Sequence, residues 1–128
     1  MQHNLDPLLR AKSIVVIGAS EKSNSVGEWA LLNLIKGGYK GVIYPVNPSY
    51  KKIQEIPCFN SLQELPETPD LAIFAIGDQR LESVFDEVVA LKIKAAVIFS
   101  PLVLDDDRKP FLKDRLQKKI SDSEILVC

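Results

Sequence analysis

Two short segments carry residues whose types and spacing could do chemistry. Gly18-Ala19-Ser20 directly follows an apolar run over residues 13–17, and Ser25-Val26-Gly27 opens a stretch with helical spacing. Gly18 has no Cβ, so the chain can turn sharply there and come close to a ligand. Ser20 and Ser25 bring hydroxyl donors. The first amides of a helix that starts near Val26 and Gly27 have no partner inside that helix, and the helix dipole adds to their pull on a phosphate. A glycine loop, two serines and a helix start therefore coincide as a phosphate cradle. The plainer use of Gly18 and Gly27 is tight packing of strand against helix.

The cradle does not match the common nucleotide fingerprints. G-x-G-x-x-G would place a glycine at position 20, which is Ser20, and no G-K-[ST] occurs for a P-loop. A ribose of NAD is usually held by a carboxylate at the end of the second strand. Here that strand ends Tyr44-Pro45-Val46-Asn47-Pro48, with no acid, so NAD is disfavoured. Lys51 and Lys52 follow, and they suit an additional ligand phosphate; alone, they would read as a solvated surface loop.

Five apolar runs, over residues 13–17, 41–45, 71–76, 95–99 and 124–128, alternate with amphipathic segments. Most are continuous rather than alternating, as strands buried on both faces are. Helical spacing covers 26–36, with Trp29, Leu32 and Ile35, and Leu31 and Leu34 beside them, on a broad apolar stripe, then 81–91 and 107–120. In 107–120, Phe111, Leu112, Leu116 and Ile120 share one side. Gly37-Gly38 stops the first helix. A short helix is expected over 61–65, where Ser61 and Glu64 match a capping box. This order predicts an α/β, Rossmann-like fold: a five-stranded, mainly parallel sheet with helices on both faces. Ligands in such sheets sit beyond the carboxyl ends of the strands, so the loops after Ile17, Tyr44, Ile76 and Phe99 are the candidates.

Composition excludes several classes. The chain has 128 residues, one domain's worth, and a net charge of −1, with no basic stripe for nucleic acid. Asp105, Asp106 and Asp107 are adjacent; they fit a solvated helix start better than a metal site. Cys58 and Cys128 are far apart and His3 is the single histidine, so no zinc spacing exists and the thiols read as free. Cys58 also lacks a nearby histidine and reads as a small packed hydrophobe rather than a nucleophile. No apolar run is long enough to cross a membrane and residues 1–6 lack a signal-peptide core, so a cytoplasmic protein is expected. A last strand with no following helix leads to the expectation of an N-terminal part of a longer chain.

The ordered series of segments resembles a family. Leu5-Asp6-Pro7-Leu8 leading to Ser13 and on to Gly18-Ala19-Ser20 is similar to the start of the CoA-binding domain of ADP-forming acyl-CoA synthetases, relatives of the succinyl-CoA synthetase α subunit. Ser25-Val26-Gly27, Gly37-Gly38-Tyr39-Lys40-Gly41, Tyr44-Pro45-Val46-Asn47-Pro48, Ile56-Pro57-Cys58, Pro69-Asp70-Leu71-Ala72 and Lys94-Ala95-Ala96-Val97 extend it over nearly the whole chain. The resemblance implies coenzyme A as ligand, with other domains or subunits of a synthetase as partners and neither nucleic acid nor membrane. It implies phosphates near Gly18, Ala19, Ser20, Ser25, Val26 and Gly27, and the nucleotide end near Val46, Asn47, Pro48 and Lys51. The pantetheine arm would pass Ala75, Ile76, Gly77 and Ser100.

Two departures mark the thioester end. The family usually has Ala-Val-Pro where Ala75-Ile76-Gly77 stands, and Ser-Ala-Gly-Phe where Ser100-Pro101-Leu102-Val103 stands. The expected role is positioning of CoA for acyl transfer, with no catalytic residue in this chain and ligase chemistry left to the parent enzyme. The rival readings are an NAD(P)-binding regulatory or redox module and an interaction domain that has lost its ligand.

Overall fold

The computed structural model describes residues 11–99 and 111–127. In chain order the elements are β1 (Ser13–Ile17), α1 (Val26–Lys36), β2 (Val42–Val46), β3 (Lys52–Ile53), β4 (Ile56–Pro57), a 3-10 turn (Leu62–Glu64), β5 (Leu71–Phe74), α2 (Asp78–Ala90), β6 (Ala95–Ile98), α3 (Leu112–Ser121) and β7 (Leu126–Val127). Five strands form one sheet in the order β2-β1-β5-β6-β7, and every pairing in it is parallel. The Rossmann-like α/β fold expected from the sequence is thus observed. Every residue of β1 and β5 is buried, which is why those runs are continuous rather than alternating.

Each strand divides its side chains between two layers. Val15, Ile17, Tyr44, Val46, Ala72 and Phe74 face α2, α3 and the 3-10 turn. Ile14, Val16, Leu71 and Ile73 face α1 and the small hairpin of β3 and β4. The chain moves one way across the sheet through α1 and the other way through α2 and α3. A single crossover hand then requires the helices to lie on opposite faces, as they do.

Three local expectations need correction. Of the broad stripe expected on α1, Leu31 is buried and Leu34 packs beside it, but the line of Trp29, Leu32 and Ile35 is not the buried face. Gly27, Ala30 and Leu31 are buried there, while Trp29 is 56% and Ile35 40% exposed. Small residues let the helix lie close to the sheet: a Cβ on Gly27 would collide with the Gly18 carbonyl oxygen. Trp29 instead meets Phe99 edge to face, with centroids 5.4 Å apart. Phe111, expected on the buried side of the third helix, is 43% exposed and stands at the helix N-cap, ahead of buried Leu112 and Leu116. Ser61 makes no side-chain cap; Glu64 reaches back to the Asn60 amide (3.0 Å), one residue earlier than the capping box predicts.

The hairpin of β3 and β4 was not expected. Gln54 and Glu55 form its turn with φ of 52° and 64°, a conformation usually signalled by Asn or Gly. The fully buried Ile53 holds the hairpin down against that cost. Helix α2 carries the expected face of Leu81, Val84, Phe85 and Val88, and starts three residues early, at Asp78. Arg115 bonds Glu82 (3.0 Å) and Lys119 bonds Asp86 (3.0 Å), tying α3 to α2. The Asp86 carboxylate, chiefly, raises the pKa of the Lys119 ammonium. No helix among the described residues is long and apolar enough to cross a membrane, and no three metal-ligating side chains cluster there. His3, Ser100, Asp105 to Asp107, the start of the expected third helix and Cys128 lie outside the described residues.

Candidate functional site

Strand β1 lies between β2 and β5, so the chain leaves its carboxyl end in one direction and later returns on the other side. That reversal opens a crevice above β1. Three loops meet there. The Gly18 amide donates to the Val46 carbonyl (2.9 Å) and the Ala75 amide to the Ile17 carbonyl (2.8 Å). Gly18 has φ +88°, a left-handed conformation that favours glycine. A Cβ there would strike the Ala75 carbonyl and come within 2.7 Å of Ile76 Cγ2. Gly18 and Gly27 are therefore both required for close approach of loop, helix and strand.

The two serines have different jobs. Ser25 Oγ donates to the Lys22 carbonyl (2.7 Å) and accepts from the Glu28 amide (3.1 Å). Its only proton is committed, so Ser25 is a helix N-cap rather than the ligand donor expected from sequence. Glu28 returns a bond to the Asn24 amide (3.1 Å). The first helical bond runs from the Trp29 amide to the Ser25 carbonyl (3.0 Å). With Glu28 capped, the amides of Val26 and Gly27 are the ones at the helix start without an acceptor inside the helix, Gly27 being buried and Val26 exposed. Ser20 Oγ accepts from the Lys22 amide (2.9 Å) and lies 3.3 Å from the Tyr50 hydroxyl. With Tyr50 donating, Ser20 keeps its own proton for a ligand. Ala19 is fully buried, backbone and side chain alike.

Asn47 is a strut. Its Nδ2 donates to the Ala19 carbonyl (2.9 Å) and its Oδ1 accepts from the Ser49 amide (2.8 Å). It stands where a ribose-binding acid would be and ties the second loop to the first. Val46 and Pro48 line the crevice beside it. Lys51 is exposed and stands apart from the residues lining that crevice, and Lys52 pairs with Glu55 (3.3 Å) at the surface. Ala75 and Ile76 are half-buried against Gly18, while Gly77 is exposed and caps α2 with open space where a Cβ would go. Burial pushes the Cys58 thiol up from its ordinary pKa, and the thiol points at the Asn47 carbonyl (3.5 Å). That suits packing and not nucleophilic attack.

Sequence reasoning missed the wall contributed by α2. Arg80, Val84 and Glu87 form one stripe of that helix and line a cleft of about 120 Å³ with Ile17, Val46 and Leu62. The i, i+4, i+7 spacing was the available signal, but charged residues at such positions usually mark a solvated face.

Comparisons with known proteins place the chain in a family. A family model described as "CoA binding domain" matches residues 12–125. The ADP-forming acetate–CoA ligase II of Archaeoglobus fulgidus is 39% identical over 97 residues, covering 76% of this chain and 14% of that protein. The ADP-forming 4-hydroxybutyrate–CoA ligase of Nitrosopumilus maritimus is 35% identical over 94 residues, covering 73% and 13%. The chain thus spans about a seventh of the length of these relatives. Among solved structures, the dinucleotide forming acetyl-coenzyme A synthetase 1 of Ca. Korarchaeum cryptofilum, in complex with phosphate and ADP, superposes with a TM-score of 0.85 at 24% identity. That superposition covers 96% of this chain and 26% of the other, and it shows a shared fold. On the match over residues 12–125, this chain belongs to the CoA binding domain family.

Proposed function

We propose that the chain holds coenzyme A above the carboxyl end of β1 and positions its thiol for acyl transfer within an ADP-forming acyl-CoA synthetase or a related acyltransferase. What supports this reading is the loop itself: two glycines, Gly18 and Gly27, that bring the loop and the start of α1 into direct backbone contact beyond β1, in a chain of this family. The phosphates rest on the 18–27 loop, with Ser20 as side-chain donor and Ser25 holding the helix start in place. The nucleotide end runs towards Val46, Asn47, Pro48 and Lys51. The pantetheine arm passes Ala75, Ile76, Gly77 and Ser100, and other domains or subunits of the parent enzyme supply the acyl group. This chain's residues bind and orient, and orientation alone can lower the barrier of a transfer.

Calorimetric titration of the 128-residue chain with CoA, dephospho-CoA and NAD tests the reading. CoA is expected to bind tightest. Equal or tighter binding of NAD, or no binding of CoA, overturns it.

A further inference from the structure

Tyr50, in the loop after β2, reaches across to the loop after β1. Its half-buried ring packs against the core layer that contains Ala19, Leu31 and Ile53. Its hydroxyl lies 3.3 Å from Ser20 Oγ and accepts from the Glu21 amide (3.4 Å). Glu21 Oε2 in turn accepts from the Gln54 amide in the β3–β4 turn (3.4 Å). The fully buried Ile53 anchors that turn. The segment 50–54 therefore grips Ser20 and Glu21 from one side.

The protons decide what this grip does. An amide only donates, so Tyr50 Oη accepts from Glu21, and Ser20 Oγ accepts from the Lys22 amide (2.9 Å). One proton then lies between the two hydroxyls. A phenol donates in a hydrogen bond more readily than an alcohol, because its ring draws electron density from the oxygen. A phosphate oxygen beside Ser20 reinforces that direction. It takes the serine proton in a charge-assisted bond, and Ser20 Oγ can then only accept from Tyr50. We propose that Tyr50 is a positioning residue for the ligand's phosphate: it donates to Ser20 Oγ, fixes the Ser20 side chain and turns the serine proton outward to a phosphate oxygen. The proposal rests on the CoA reading and names what orients its side-chain donor. Both Tyr50 contacts are at the long end for hydrogen bonds, so the expected effect is modest.

The test is a double-mutant cycle on the full chain, read by calorimetric titration with CoA and dephospho-CoA. Tyr50→Phe keeps the packed ring and loses only the hydroxyl, and water replaces that hydroxyl at the exposed Glu21 amide. It should weaken both ligands about threefold to tenfold, the scale of one hydrogen bond, and by no more than Ser20→Ala does. In a Ser20→Ala background the same substitution should change affinity by less than about twofold, because its route to the ligand is gone. A Tyr50 that only supports the fold would cost the same factor in both backgrounds. That result overturns the proposal, as does Tyr50→Phe with CoA affinity unchanged. A loss for CoA with none for dephospho-CoA also overturns it, by placing the Tyr50 hydroxyl on the additional phosphate directly. Each of these outcomes leaves the CoA reading standing. Wild type that binds neither ligand overturns the CoA reading, and this proposal with it.

Discussion

The crevice above β1 has two walls built in different ways. On the α1 side the groups offered to a ligand are backbone amides, presented because Gly18 turns the chain, Gly27 lets the helix come close and Ser25 caps the helix at Glu28. On the α2 side they are side chains, Arg80 and Glu87, carried on a helix whose adjoining face, through Val84, Leu81 and Val88, is core. Backbone recognition tolerates almost no change at its glycines. Side-chain recognition can be retuned by one substitution while the helix stays in place. Under the proposed reading, the first wall suits the ligand's phosphates.

The largest expected effect breaks the first wall. Gly18→Val forces a β-branched residue to φ +88° and drives its Cβ into the Ala75 carbonyl and Ile76. Strain and overpacking together predict a loss of about 2–5 kcal/mol in urea denaturation, with CoA binding abolished. Gly77→Ala is the control on the neighbouring loop. Gly77 has φ −69° and open space at its Cβ, so stability should move by less than about 0.5 kcal/mol. A Gly18→Val protein that folds and binds like wild type would remove the loop from the site.

The two serines sharpen the same comparison within the α1 wall. Ser25→Ala removes an N-cap and should cost about 1 kcal/mol of stability. Ser20→Ala should leave stability nearly unchanged and weaken CoA roughly tenfold, the scale of one hydrogen bond to a charged group. Calorimetry and denaturation on both variants separate the roles. The reverse pattern, with Ser25→Ala weakening CoA at unchanged stability, would make Ser25 the ligand donor after all.

How much of this was legible follows from the same difference. The parallel sheet and the close packing of the Gly18 loop against the start of α1 could be read because buried strands and glycine loops restrict residue type at each position. Gly18 announces a turn wherever it occurs after an apolar run. The orientation of α1 was misread because Trp29, Leu32 and Ile35 outweigh Gly27 and Ala30 on any hydrophobicity count. Close packing selects the small residues, and it leaves the large ones on the rim. The β3–β4 hairpin was missed because Gln54 and Glu55 carry none of the usual turn chemistry. Arg80 and Glu87 were missed because a charged stripe on an amphipathic helix looks the same whether it faces water or a cleft. Asn47 was read as a ligand contact. Its side chain is spent on the Ala19 carbonyl and the Ser49 amide, a commitment visible only once the two loops are brought together.

A smaller effect concerns the nucleotide end. Lys51 is exposed and off the cleft lining, so any contact with a ligand phosphate is made through solvent-screened charge. Lys51→Ala should weaken CoA only several-fold, more at low salt than at high salt, and leave dephospho-CoA unaffected. Lys40→Ala, on the far side of β2 from this loop in sequence, should change neither ligand. Equal losses for CoA and dephospho-CoA in Lys51→Ala would place its contact elsewhere than on the extra phosphate.

The smallest effect lies beneath the α2-side cleft. The Tyr44 hydroxyl donates to the Glu67 carboxylate, and its ring meets Phe59 edge to face at 5.8 Å. These contacts hold the segment that contains Asn60, Ser61 and Leu62 against β2. The Glu67 hydrogen bond, then burial and the Glu67 charge, push the Tyr44 pKa from 10.0 up to about 12. A folded-state value above the unfolded one means the neutral phenol favours the fold. That contribution is complete below pH 10 and is lost as pH rises through about 12. Tyr44→Phe keeps the ring packing but has no proton to lose. Wild type should therefore lose stability more steeply than the variant between pH 10 and 12 in urea titrations. Lys119 also titrates in the alkaline range, but it is present in both proteins and cancels in their difference. Parallel curves would show that the Tyr44–Glu67 bond does not hold this wall in solution. Convergence of the two curves at high pH would show that the cleft's outer wall depends on it.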